Sequence, residues 1–184
     1  MVDVMGHLAM GLLWTAPAWF RWEGRASLAF VGLAVAAAPI PDVDLWIERV
    51  APSLVHHHGV THTVVFVAAV SVAFGAVTAT AFDRRPGRWL RGRRVSLERP
   101  FVFASAAVLV GGLSHLFADM LSAPDIAQPI EPFWPLFDKP VSLDVLWYDD
   151  PLWNAGLLTA AVLLHVGLVR IVDPFGHPDR SIDE

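Results

Sequence analysis

Histidine and aspartate residues lie at four separated places in the sequence, and their types are those of metal ligands. The chain contains no cysteine, so thiolate ligation is excluded. Imidazole and carboxylate donors favour zinc, manganese or iron over magnesium or calcium. We predict one or two divalent ions, most simply zinc. The candidate ligands are His7, Asp42, Asp44, His57, His62, His115 and Asp119.

The spacing of His115 and Asp119 is the most specific local signal. Residues four positions apart on a helix project from adjacent turns of one face, so both side chains can enter the same metal shell. A structural His–Asp pair explains these two residues equally well. Asp44 has a plain alternative as the N-cap of a short interfacial helix, and Thr61 or Thr63 as a cap of the following helix. The convergence of four chain segments favours the metal site.

The candidate ligands outnumber the positions around one tetrahedral ion. Two ions about 3.5–4 Å apart would polarise an ester oxygen and activate a water molecule. Asp42 or Asp44, where not used as a ligand, is a candidate general base, and His58 is a candidate contact for the leaving group or an anionic substrate. Which of the three consecutive histidines 56–58 face the site is left open.

The elements that position these residues are apolar helices. Of 184 residues, 55% are hydrophobic and 17% are charged, against about 25% charged in an average soluble domain. About 20 apolar residues at 1.5 Å per residue cross the hydrocarbon core of a membrane. We predict an all-α polytopic membrane helix bundle with four or five transmembrane helices, forming one integral-membrane domain over residues 1–184. The predicted spans are His7 to Phe20, Ser27 to Pro41, Thr63 to Phe82, Phe101 to Ser122 and Pro151 to Val172.

Arginine placement predicts the orientation of these helices. The loop at residues 83–100 contains seven arginines, which marks it as cytoplasmic. With five crossings the N-terminus lies outside and the C-terminus inside, and the loop at residues 123–150, rich in proline and aromatic residues, is extracytoplasmic. The first basic residue is Arg21, after the first apolar stretch, so we expect that stretch to be retained. The histidines and aspartates then collect at the extracytoplasmic leaflet of the cell membrane.

Charge and position define two further expectations. The net charge of −5 and the topological explanation of the arginine loop argue against a nucleic-acid partner. His165 lies in the inner half of the last span, away from the other histidines, and we expect it to be a hydrogen-bonded histidine of the bundle. Membrane lipids are the expected partners, and the sequence leaves the oligomeric state open.

The ordered motifs resemble a known family. They are Gly6-His7, Pro41-Asp42-Val43-Asp44, His57-His58-Gly59-Val60-Thr61-His62-Thr63, the run Ser114 to Leu121, and a Pro- and Trp-containing loop from Ala123 to Leu136. This set resembles the YdjM-like family of membrane-bound metal-dependent hydrolases, also described as LexA-binding or LexA-regulated inner-membrane hydrolases. The resemblance covers roughly residues 5–137. His58 stands where the family usually has arginine, and Thr63 replaces serine; unlike arginine, a histidine can be neutral at pH 7.

The resemblance implies a membrane-bound metal-dependent hydrolase without an established substrate. The order His, Asp, His, then His-x-x-x-Asp is also similar to zinc-dependent phospholipase C and the P1-type nucleases, which ranks phosphoesters ahead of carboxyl esters. We therefore expect hydrolysis of a lipid-linked or other phosphoester. The non-enzymatic alternative is a membrane bundle that stores or passes a metal, or that binds haem through His62 and His115.

Overall fold

The fold is built from helices. The computed structural model describes residues 3–51, 57–83 and 98–175; His56 and most of the arginine loop lie outside these described residues. A 3-10 turn at Val60–His62 and a π-helical turn at Leu152–Gly156 precede two of the helices. The prediction of an all-α bundle is confirmed. The helices are α1 (Val4–Thr15), α2 (Ala18–Arg21), α3 (Gly24–Ala37), α4 (Val43–Val50), α5 (Val64–Asp83), α6 (Glu98–Leu121) and α7 (Leu157–Val172).

Three helical segments of the described chain are long and apolar enough to cross a membrane. They cover 19, 23 and 21 residues at Val64–Phe82, Arg99–Leu121 and Leu152–Val172. Helix α3 is also apolar, but its 14 residues extend only about 21 Å. The first predicted span is divided between α1 and α2, because Pro17 has no N–H with which to continue the helix. A fourth or fifth crossing would therefore have to use these shorter helices.

Helix α6 is the centre of the bundle. Half of its apolar span is buried, compared with 17% for α5 and 11% for the last helix. Most of the surface of these two helices is thus free to face lipid, and large apolar side chains such as Val72, Val77 and Leu163 are exposed on it. Such faces are expected where the solvent is the hydrocarbon of a membrane.

Glycines allow α6 to pack closely against its neighbours. A Cβ atom on Gly111 would lie 2.2 Å from the carbonyl oxygen of Ala34 in α3. On the other side, a Cβ atom on Gly75 of α5 would lie 2.8 Å from the carbonyl oxygen of Phe101. Small residues that let backbones approach are the usual means of packing helices in membranes.

We expect Gly111→Ala to destabilise the bundle. The added methyl group meets backbone, which cannot move aside as a flexible side chain would, so α3 and α6 must separate at a cost of about 1–3 kcal/mol. Gly32→Ala is the matched control, because a Cβ atom there meets nothing within 4 Å. Thermal unfolding in detergent measures both variants. Equal stabilities would show that the close approach at Gly111 does not matter.

The segment after α6 folds back over the end of the bundle. It is held by isolated bridge pairs between Ser122 and Leu146 and between Ile130 and Val141. The side chain of Ile130 is fully buried, and the Val64 N–H donates to the carbonyl oxygen of Pro132 at 2.8 Å. These contacts hold the loop against the start of α5.

Candidate metal centre

The last turns of α6 carry the first two side chains of a buried cluster. His115 and Asp119 lie on one face, with His115 Nε2 at 3.1 Å from Asp119 Oδ2. The ring of His7, from the first turn of α1, stacks on the ring of His115 with centroids 3.8 Å apart. His7 Nε2 also lies 3.6 Å from Asp119 Oδ1. All three side chains are at most 2% exposed.

Asp42 and His62 complete a set of four donor atoms around one point. Asp42 is the N-cap residue of α4, and His62 ends the 3-10 turn that leads into α5. His62 Nε2 lies 3.2 Å from His115 Nε2, 3.4 Å from Asp42 Oδ1 and 3.6 Å from Asp119 Oδ2. His115 Nε2 lies 3.5 Å from Asp42 Oδ1. Two ligand atoms of one tetrahedral zinc ion are separated by about 3.3–3.6 Å, so these spacings suit a single ion.

Asp44 contacts the Nδ1 atoms of His57 and His62 and orients both rings. Its carboxylate accepts from His57 Nδ1 at 3.1 Å, from the Thr61 hydroxyl at 2.8 Å and is 3.1 Å from His62 Nδ1. A carboxylate only accepts, so both rings carry a proton on Nδ1, and Nε2 is the nitrogen that each ring can offer to a metal. Carboxylate partners of this kind fix the orientation of metal-binding histidines.

His58 is turned into the cluster by its backbone. Its φ angle of 65° lies in the left-handed region, which is uncommon for a residue with a side chain. His58 Nδ1 donates to the backbone carbonyl oxygen of Gln128, so Nε2 is again the free nitrogen. That atom lies 3.8 Å from Asp119 Oδ2. His58 therefore lies among the candidate ligands, and not only on the substrate side as the sequence suggested.

Several groupings of these donors have the compactness of a metal site. In each grouping the ligand atoms lie within 4.8 Å of one another. One set comes from the turn before α5, a second adds the carboxylates around α4, and a third joins α1 to α6. The sets are His57, His58 and His62; Asp42, Asp44, His57 and His62; and His7, His115 and Asp119.

The buried nitrogen atoms of the cluster test whether a metal fits. Within the described part of the chain, neither nitrogen of His7 has a hydrogen-bond partner, and the same holds for Nε2 of His57 and of His58. Leaving a buried polar atom without a partner costs about 1–3 kcal/mol. A divalent ion would use these lone pairs, and the imidazole and carboxylate donors are those of zinc, manganese or iron. The residues therefore fit a metal ion.

The charges of the cluster favour a cation. Burial raises the pKa of Asp44, but hydrogen bonds from His57, His62 and Thr61 lower it more, to well below its ordinary value. Burial lowers the pKa of His62, whereas hydrogen bonding to Asp42 and Asp44 raises it to about 9. The carboxylates thus stabilise a positive charge at His62, which a metal ion can supply in place of the proton.

The pKa of His58 is shifted in the opposite direction to that of His62. Burial lowers its pKa to about 4, against the opposing effect of the Asp119 charge and the bond to Gln128. The imidazole is therefore neutral at pH 7, with a free lone pair on Nε2. An arginine at this position would remain charged and could only donate. The neutral His58 ring can thus offer a lone pair to a metal ion.

The spacing of His62 and His115 does not match that of two axial haem ligands. Axial ligands on opposite faces of an iron lie about 4 Å apart, whereas the two Nε2 atoms are 3.2 Å apart. Asp42 and Asp119 also border the same space.

His165 lies away from this cluster, as expected. Its Nδ1 accepts from the Trp19 indole N–H at 2.8 Å, and its Nε2 faces the Leu12 carbonyl oxygen.

All seven candidate ligands and His58 come together, and two contributors were missed. Gln128 contributes through its backbone carbonyl, which leaves no signal in the residue type. Thr61 donates to Asp44, whereas Thr63 is the residue that caps α5, accepting from the N–H of Phe66. The only sequence signal for the contact between Thr61 and Asp44 is the position of Thr61 next to His62.

The chain was compared with family models, curated proteins and solved structures. Residues 1–175 match the sequence model of a family described as YdjM inner membrane protein. Neither a curated protein nor a solved structure matches the chain. The matched region contains the whole cluster and all three long apolar segments. The protein is therefore a membrane protein and belongs to the YdjM inner membrane protein family.

Proposed function

We propose that the protein is a membrane-bound metal-dependent hydrolase that acts on a phosphoester. The observation that carries this proposal is that four histidine Nε2 atoms lie within 3.8 Å of a carboxylate oxygen of Asp42 or Asp119. The histidines are His7, His58, His62 and His115. A cluster built only for stability would pair each buried imidazole, whereas here buried nitrogens remain without hydrogen-bond partners among the described residues.

The proposed ligands of the first ion are His62, His115, Asp42 and Asp119, and zinc is the proposed metal. His7, His57 and His58 border the same centre and provide donors for a second ion. When bound, such ions polarise an ester oxygen and lower the pKa of a bound water molecule to near neutrality. The protein supplies the positions of the donors and the exclusion of bulk water.

The residues of the chain divide between two roles. Asp44 is fully buried and its oxygens are engaged by three donors, which supports orientation of His57 and His62. Asp42 is the more accessible carboxylate, with 14% of its side chain exposed. We propose that Asp42 binds the ion through Oδ1 alone and that its other carboxylate oxygen, rather than Asp44, takes a proton from water during the reaction.

A polar cavity gives a substrate access to the cluster. It has a volume of about 610 Å³, within the range of ligand pockets. His57 and His58 form part of its wall, and Gln128 and Glu131 from the loop after α6 line it together with Glu48 of α4. A phosphoryl group that enters this cavity meets the side of the cluster formed by His57 and His58.

The proposal includes the orientation expected from the arginines. The cluster then lies at the extracytoplasmic leaflet, with the N-terminus outside and the C-terminus inside, and membrane lipids surround the helices. The chain has no cysteine, so single cysteines introduced at Gly87 and Asp138 can be labelled from one side of the membrane. Labelling of Gly87→Cys from outside intact cells would reverse this orientation.

The function is tested with purified protein in nanodiscs. We expect bound zinc by mass spectrometry and hydrolysis of bis(p-nitrophenyl) phosphate, with slower hydrolysis of p-nitrophenyl butyrate. A chelator should remove the activity and added zinc should restore it. Bound zinc without turnover of either ester would favour the storage or transfer of metal, and absence of both metal and turnover would remove the proposal.

A further inference from the structure

A second cavity, the apolar groove, reaches the cluster from another side. It has a volume of about 720 Å³ and is lined mainly by apolar side chains from α1, the turn before α4, α4 itself and α5. Asp42 is also part of its wall. Its apolar lining residues include Val4, Ile40, Leu45, Trp46 and Phe66.

The rim of this apolar groove has the character of a surface that meets lipid. Val4 is 57% exposed and Trp46 is 68% exposed, and both line the groove. The guanidinium of Arg49 lies 5.1 Å from the ring centroid of Trp46. A tryptophan beside an arginine is typical of the boundary between hydrocarbon and lipid headgroups.

The two cavities approach the cluster from different sides of α4. Glu48 lines the polar cavity and its neighbour Arg49 lines the apolar groove. Between them, Asp42 Oδ1 lies 3.4 Å from His62 Nε2, and the ring of His62 lies 4.7 Å from the ring of His58 in the polar cavity. The donor atoms of Asp42, His62 and His58 therefore lie between the two cavities.

We propose that the substrate is a lipid whose hydrocarbon tail occupies the apolar groove, whose phosphoester lies at the cluster and whose headgroup occupies the polar cavity. This inference rests on the proposed hydrolase function and specifies its substrate. Glu48 and Glu131 in the polar cavity favour a headgroup that donates hydrogen bonds, such as an ammonium or hydroxyl group, over a second anion. Ethanolamine and glycerol headgroups have this chemistry.

The test separates the position of the tail from the chemistry. The probe is a phosphatidylethanolamine with a diazirine in its acyl chain, added to the zinc-loaded protein in nanodiscs. After irradiation, we expect mass spectrometry to find label on Val4, Ile40 and Phe66 above the level on Val162, which is exposed to lipid on α7. Ile40→Trp, which fills the groove, should reduce the groove label several-fold, and Val162→Trp is the matched control.

The kinetic counterpart uses a long and a short substrate. Ile40→Trp should raise KM for the long-chain lipid by a much larger factor than KM for bis(p-nitrophenyl) phosphate, because the small ester does not need the groove. Val4→Trp serves as a second blocking variant, and unchanged zinc content shows that each variant is folded. Equal label on the groove and on Val162, or no effect of either variant, overturns the tail assignment. Loss of zinc binding or of turnover in the wild type instead overturns the proposed function.

Discussion

Replacing both His115 and Asp119 by alanine should remove the metal from the protein. These residues supply two of the four donor atoms at the centre of the cluster. Four ligands of a structural zinc ion together provide about 10–16 kcal/mol of binding free energy. Each ligand then contributes about 3 kcal/mol, which corresponds to about a hundredfold in affinity. We expect a loss of about four orders of magnitude in affinity for the double variant, measured by metal content after gel filtration.

The control for this experiment is a buried histidine outside the cluster. His165→Ala removes the acceptor of the Trp19 indole N–H, so it lowers the stability of the bundle while leaving every metal donor in place. It should retain the zinc content of the wild type. Equal zinc in the double variant and the wild type would show that the ion is held elsewhere, and loss of zinc from His165→Ala would point to general unfolding.

The sequence predicted most of the residues of the cluster, because placing a charged or polar side chain in an apolar membrane helix costs free energy. A carboxylate in an apolar helix, such as Asp119, needs a partner, and the i,i+4 spacing identified His115 on the same face. The topology drawn from arginines placed His7, Asp42 and His62 at the same leaflet. Helix direction alone therefore brought distant segments together without knowledge of side-chain contacts.

The roles within the cluster depended on geometry that sequence patterns do not contain. Asp42 and Asp44 occupy one short motif, yet the first faces the free nitrogens and the second accepts from the Nδ1 side. His58 reaches the centre because of a left-handed backbone angle and the carbonyl oxygen of Gln128, 70 positions along the chain. Neither contact follows from residue type.

The hydropathy pattern also did not predict where the first helix ends. The stretch from His7 to Phe20 is continuously apolar, but Pro17 separates α1 from α2. The first turn of α1 places His7 beside His115 near the end of α6. Hydropathy measures the transfer of side chains to lipid, and it does not report where a backbone turns.

Asp44→Asn should weaken zinc binding without reducing the number of ions bound at saturation. The asparagine keeps the shape of the side chain but replaces one accepting oxygen by an NH₂ group, which cannot accept from His57, His62 or Thr61. One imidazole must then rotate or move its proton to Nε2, the nitrogen that would bind the metal. Loss of such an orienting carboxylate typically costs about 10–100-fold in metal affinity, measured by competition with a fluorescent zinc chelator.

Two further variants make this result specific. Thr61→Val removes only the hydroxyl donor to Asp44, so its effect should be smaller than that of Asp44→Asn. Asp144→Asn makes the same chemical change on an exposed aspartate of the loop and should leave zinc affinity unchanged. If Asp44 were itself a ligand, Asp44→Asn would also lower the zinc stoichiometry at saturation. If Asp44→Asn bound zinc as tightly as the wild type, the orientation of His57 and His62 would not depend on this carboxylate.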